Sequence, residues 1–135
     1  MTNSVPTQLK MIRGTYREDR APENEPQPKR VAPAPPRGLS KQARKVWTAY
    51  AEKLETLGVL TEIDGLAFTL LSIHYDIAWQ ASQVVNDEGI TDVDNNGGTR
   101  KHPALQILRD NSQMFLRFAT EFGLTPASRS RINAS

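Results

Sequence analysis

The sequence predicts a mainly α fold: a three-helix body with one long central helix, a short β-hairpin, and a disordered basic N-terminal arm. Three observations carry that prediction. Apolar residues recur at helical spacing over three stretches, each opened by a capping signal and closed by glycine. Seven of the nine prolines fall in residues 1–38, where large apolar residues are too few to offset the entropy of ordering the chain. An Asn-Gly pair at 96–97 separates two short alternating runs, which signals a hairpin turn. The 135 residues leave room for one domain. They divide into an arm over 1–38, a body over 39–132 and a tail over 133–135.

Within the arm, Gln8 to Arg13 alone has the composition for a helical turn, and the rest is expected to be disordered or polyproline-like. The first body helix starts at Ser40, a good N-cap, and ends at Gly58. Ala43, Val46, Trp47, Tyr50, Ala51, Leu54 and Leu57 form its apolar stripe. The second helix opens at Thr61, with Asp64 as the acidic member of a capping box, and runs to about Asp87 before Gly89. Ile63, Leu66, Leu70, Ile73, Ile77, Ala81 and Val84 make one stripe along it, flanked by Ala67, Leu71, Ala78 and Val85. Phe68, Tyr75 and Trp79 carry the apolar arc to the far side. A polar strip with Glu62, Thr69, Ser72, Asp76, Gln80, Gln83 and Asp87 remains. A helix apolar over so much of its circumference requires burial on two sides. Self-association is therefore expected, with Phe68, Tyr75, Trp79, Met114 and Phe118 at the interface between copies.

Ile90 to Val93 and Thr99 to Lys101 flank the hairpin turn. The third helix starts with Pro103 in its first turn and runs to Phe122, closed by Gly123. Ala104, Ile107, Leu108, Phe115, Phe118, Ala119 and Phe122 line its core face. Thr125-Pro126 repeats a cap-plus-proline start, so a short helical turn is expected over 126–132.

Charge is distributed unevenly. Ten of the 17 Lys and Arg residues lie in the first 45 positions against four acids, and none falls between Lys53 and Arg100. A basic arm joined to a mildly acidic body is a common electrostatic footprint for nucleic acid. Lys41, Arg44 and Lys45 occupy the first turns of a helix, where the dipole disfavours cations but an anion is welcome. Lys10, Arg13, Arg17, Arg20, Lys29, Arg30 and Arg37 add arm contacts, and Arg100, Lys101, Arg129 and Arg131 extend the set. Such residues meet phosphates and supply affinity and salt dependence with little base readout. The second helix has no Lys or Arg, so it cannot be the recognition helix of a helix-turn-helix.

Catalytic signals are lacking. Cysteine is absent, which excludes disulfides and thiolate metal sites. His74 reads as a core histidine and His102 as a residue at the start of a helix, with no metal-ligand spacing near either. Asp92, Asp94 and Asn96 imitate half of a calcium loop, but Pro103 stands where its bidentate Glu belongs. Asp76 and Glu62 read as solvated charges. No catalytic residue, metal or cofactor is expected. The first eight residues carry no apolar run of signal type and no stretch is long enough to span a membrane, so a soluble intracellular protein is expected.

Four stretches in order also carry a family likeness. They are Leu9-Lys-Met-Ile-Arg-Gly14 with Asn24-Glu-Pro-Gln-Pro28; Leu39-Ser through Trp47 to Leu57-Gly-Val-Leu-Thr-Glu-Ile-Asp64; Gly97-Gly-Thr-Arg-Lys-His-Pro-Ala-Leu105; and Phe122-Gly-Leu-Thr-Pro-Ala-Ser-Arg129. Over nearly its whole length the chain resembles the small subunit of phage terminases from lambda-like tailed phages. The resemblance implies a helical, non-catalytic component of the genome-packaging motor, acting in the host cytoplasm. It implies binding of double-stranded viral DNA and its delivery to the large terminase subunit, whose ATPase and nuclease are modulated. It also implies a homo-oligomeric ring of roughly eight to ten copies. The family's arm motif falls on Lys10 and Arg13, its Lys-His-Pro segment on Lys101 to Pro103, and its ending on Leu124 to Arg129. Any C-terminal segment gripping the large subunit is expected to be short here. The rival reading is a helical protein–protein adaptor with a basic docking tail and no DNA role.

Overall fold

The computed structural model describes residues 5–15, 17 and 28–132, without side chains at Gln8, Arg131 and Ile132. The expected tail over 133–135 lies outside the described residues. In chain order the elements are α1 (Thr7–Ile12), α2 (Lys41–Thr56), α3 (Gly65–Glu88), β1 (Thr91–Val93), β2 (Thr99–Lys101), α4 (Pro103–Glu121) and α5 (Pro126–Ile132). The body is mainly helical around one long central helix and carries a two-stranded antiparallel hairpin, the class the sequence predicts.

Local chemistry sets the boundaries. The Ser40 hydroxyl accepts the Ala43 N–H at 3.1 Å and caps α2. Past its last turn Gly58 adopts φ +69°, which lets the Val59 N–H reach the Leu54 carbonyl at 2.9 Å. The long helix starts at Gly65, four residues later than Thr61. The Asp64 carboxylate takes both the backbone N–H and the hydroxyl of Thr61, at 2.8 and 2.7 Å. Residues 61–64 thereby close as a separate turn, and Thr61 donates its hydroxyl where a capping box would have it accept. In the hairpin, Thr91 pairs with Lys101 and Val93 with Thr99. One Asp94 oxygen accepts the backbone N–H groups of Asn96 and Gly98, each at 2.8 Å. An Asp-centred five-residue loop thus replaces a two-residue Asn-Gly turn.

α2 runs antiparallel to α3 and meets it from Phe68, opposite Trp47, to Asp76, opposite Ser40. α4 lies antiparallel to α3 along its whole length, from Phe122 beside Phe68 to His102 beside Glu88. The result is a head and a stalk. The head holds the core: Trp47, Leu54, Leu60, Phe68, Leu71 and Phe122 are all buried. Trp47 and Phe122 flank Phe68 with ring centroids at 4.6 and 5.6 Å. Beyond Asp76 the stalk is two helices capped by the hairpin, and from residue 77 to 111 only Ala81, His102 and Ala104 are buried.

The described parts of the arm lie on the head. α1 forms where a helical turn is expected and packs Leu9 and Ile12 against the core. Residues 28–36 form neither helix nor strand, and a turn follows at 37–38. This segment is laid along the body: the Glu62 N–H donates to the Lys29 carbonyl at 3.0 Å, and Pro33 sits against Gly65 so closely that a Cβ there would lie 3.3 Å from its ring.

Several faces differ from expectation. Tyr50 and Leu57 of the α2 stripe and Ile107 of the α4 stripe are exposed, because none of the described elements covers those flanks. The supposed polar strip of α3 is half buried in the chain itself. Ser72 has no accessible surface and bonds the Phe68 carbonyl, and Asp76 accepts the Ser40 hydroxyl at 2.6 Å. Asp76 is therefore not a solvated charge, since the start of α2 closes over it. Glu62 is exposed, as expected.

Candidate nucleic-acid interface

At the start of α2, Lys41, Arg44 and Lys45 project from successive turns, with Arg37 just before them, and all four are exposed. Among the described residues no acidic side chain forms an ion pair with any of them. Arg44 spends one N–H on the Pro36 carbonyl at 3.1 Å, which ties the proline-rich segment to the helix. Ser40 already occupies one α2 donor, and Asp76 shares the same helix end through Ser40. The backbone contribution to anion binding is thus partly used within the chain, and the side-chain charges carry the remainder. Helix α2 has no acid in its first turn, so the cations there oppose the dipole without local relief.

The profile of the phage terminase small subunit matches residues 43–135, from within the first turn of α2 through α5. The chain belongs to that family. No curated protein and no solved structure matches it. Family membership places the chain in phage DNA packaging.

The remaining cations expected from the sequence to meet DNA divide into separate groups in this family member. Arg13 is largely enclosed and pairs with Glu121 at 2.9 Å. Arg30 packs on the end of α2, its guanidinium 3.3 Å from where a Cβ on Gly58 would stand. Arg129 donates to the Leu124 carbonyl at 3.0 Å. Arg100 binds Asp92 across the hairpin at 2.8 Å. That bond, with the Val93 N–H, holds the Asp92 carboxyl below the usual carboxylate range. Arg17, Lys29 and Lys101 are exposed, and Lys10 is half-buried. Arg20 and the side chain of Arg131 lie outside the described residues. The hairpin cations stand about 18 Å along α3 from the level of the α2 cluster, at ~1.5 Å per residue over the twelve residues from Asp76 to Glu88. The structure brings together Arg37, Lys41, Arg44 and Lys45, and it leaves the others apart.

The five expected interface residues also separate. Phe68 has no accessible surface and lies at the centre of the core, so it has nothing left to offer a partner. This corrects the expectation, and the cause is that α2 and the end of α4 close around it. Trp79 is 48% exposed and stacks with the half-buried Tyr75 at 6.5 Å. Met114 and Phe118 are half-buried, Phe118 stacking on His74. Two further apolar side chains on α3 are exposed, Leu66 at 85% and Leu70 at 45%. Their signal was available in the sequence as a strict alternation of four and three residues through Leu66, Leu70, Ile73, Ile77, Gln80 and Val84.

Both histidines have structural partners. His74 Nδ1 bonds the Asn111 side-chain oxygen at 2.8 Å and links α3 to α4. His102 Nδ1 accepts the Ala104 N–H at 3.0 Å and so caps α4. That leaves Nε2 as the proton-bearing nitrogen facing Glu88 at 2.7 Å. Among the described residues no three His, Asp or Glu side chains converge as a metal site requires. Also among them, no helix is long and apolar enough to cross a membrane.

Proposed function

We propose that this protein is the DNA-recognition and regulatory subunit of a phage packaging motor. It binds double-stranded viral DNA through the start of α2 and hands it to the large terminase subunit in the host cytoplasm. It does so as a ring of about eight to ten copies, in which repeated weak sites act together. It supplies no catalytic group of its own. One observation carries the DNA assignment: Arg37, Lys41, Arg44 and Lys45 gather at one helix end, against the dipole and without an acidic partner among the described residues. Phosphate is the ligand such an arrangement suits. Tyr75 and Trp79, with Met114 and Phe118, are candidates for contact between copies.

The test is duplex-DNA binding by fluorescence anisotropy across a salt series. Replacing Lys41 and Lys45 by Ala leaves the bond from Arg44 to Pro36 intact and isolates the two unpaired charges. The expected result is weaker binding, with the slope of log K against log salt reduced in size by about two per chain engaged. Binding and slope both equal to wild type would remove the α2 cluster from the interface. Salt-insensitive behaviour with no affinity for duplex DNA would favour the adaptor instead.

A further inference from the structure

α3 has apolar surface on two opposite sides, and the two differ in shape. On the outer side Leu66, Leu70, Ile73, Ile77 and Val84 form a convex ridge, interrupted once by Gln80. From Leu66 to Val84 it is about 27 Å long, at ~1.5 Å per residue. Leu66, Leu70 and Val84 are exposed, and no described element covers this face. Nine residues along from Leu66, half a turn of the wheel away, Tyr75 points to the inner side. There α2 and α4 stand apart as walls, and between them lies a groove of about 310 Å³. Leu71, Tyr75, Phe115 and Ala119 line it, with Tyr50 and Leu116 among its other lining residues, 41% and 56% exposed.

We propose that the ridge of one copy seats in the groove of the next, and that this head-to-tail contact builds the assembly. The proposal rests on the ring put forward above and names the surfaces that make it. Three features identify the occupant as a second copy. The 4-3 spacing of the ridge is the pattern that one helix presents to the space between others. The charges are compatible, because the groove is lined by Lys45 while the ridge carries no cation and is flanked by Glu62, Thr69, Gln83 and Asp87. The two surfaces lie on opposite sides of one chain, so joining them is a heterologous contact, the kind that closes into rings. Pairing ridge with ridge would give a twofold dimer and leave every groove open.

Two variants test this by light scattering or native mass spectrometry. Leu66→Glu with Leu70→Glu disables the ridge, and Leu116→Glu disables the groove. All three positions are exposed, so the helical signal of each variant in circular dichroism is expected to match wild type. Leu66→Ser with Leu70→Ser, and Tyr50→Ala, serve as milder second choices should a charged variant lose helicity. Each variant alone is expected to run as the 15.1 kDa chain. Their equimolar mixture is expected to form a one-to-one pair and nothing larger, since one intact ridge and one intact groove remain.

The groove variant keeping the wild-type mass would overturn the proposal, as would the ridge variant keeping it. Two monomeric variants that stay monomeric when mixed would overturn it also, because the surfaces then do not meet. A closed wild-type ring with any of these results leaves the ring standing and removes only this interface. A monomeric wild type removes both.

Discussion

The head and the stalk are built from the same two helices, yet they satisfy different conditions. In the head, α2 and the end of α4 pack on α3, and large side chains such as Phe68, Leu71 and Phe122 are excluded from water. In the stalk the same helices continue as a pair, and Ala81, His102 and Ala104 are the only described residues fully enclosed. A pair of helices buries one stripe of each and exposes the remainder. A polar outer surface would make that acceptable. Here Trp79, Val84 and Ile107 are exposed instead. The contrast teaches that the chain's own buried core resides in the head, while the stalk keeps apolar side chains that the described residues do not cover.

The largest effect that would break this comparison is a core truncation. Phe68→Ala removes the ring between Trp47 and Phe122, and the expected loss is about 3–5 kcal/mol. Urea unfolding at one fixed protein concentration measures it, with the concentration held because assembly adds to apparent stability. Leu66→Ala, at a position 85% exposed, is expected to change stability of the dissociated chain by no more than about 0.5 kcal/mol. A comparable loss at both positions would mean that the outer face of α3 is packed by the chain itself, and the contrast between its buried and exposed faces would fail.

A smaller effect lies where head becomes stalk. Ser40 caps α2 and at the same time gives its hydroxyl proton to Asp76, which is 7% exposed. Ser40→Ala is expected to cost about 1 kcal/mol for the cap. Stranding the carboxylate adds about 1–3 kcal/mol. Ser40→Ala combined with Asp76→Ala is expected to be less damaging than Ser40→Ala with Asp76 retained. If the double variant is the sum of the singles, the two groups are not coupled.

Most of the fold was legible because each element carried its own punctuation. Ser40, Gly58, Gly89, Pro103 and Gly123 mark ends by local chemistry, and local chemistry survives folding. The misplaced boundary, Thr61 against Gly65, came from a capping-box spacing that the side chains satisfied in a different hydrogen-bond pattern. Burial was harder to read. Whether the strip with Ser72 and Asp76 or the stripe with Leu66 and Leu70 faces inward depends on where α2 lies, and no residue of α3 states that. The candidate cations were legible as a charge pattern, and where each one lies was not. Charge identified Lys41 and Lys45 together with Arg13, Arg30, Arg100 and Arg129. Only the tertiary structure reveals that Arg13, Arg100 and Arg129 bond Glu121, Asp92 and the Leu124 carbonyl, and that Arg30 lies beside the end of α2.

The smallest effect separates the hairpin at the stalk's tip from the α2 cluster on the head. Arg100 holds the Asp92 carboxyl below the usual carboxylate range, assisted by the Val93 N–H. A carboxyl depressed in the folded state contributes stability at pH values above its unfolded pKa and loses it as pH falls through the folded one. The hairpin is therefore expected to be insensitive to acid until the pH falls below the ordinary range of a free aspartate, and to lose this pairing only there. Arg100→Ala is expected to raise the Asp92 pKa, yet not fully, because the Val93 N–H still bonds the same carboxylate. Carbon-detected NMR titration of Asp92 reads the shift directly. Repeated with duplex DNA present, the titration sharpens the comparison. If Arg100 turns to a phosphate, Asp92 loses its partner and its pKa rises with DNA as it does in Arg100→Ala. If the Asp92 pKa is unchanged while binding proceeds, Arg100 remains with the hairpin and the phosphate contacts belong to the head.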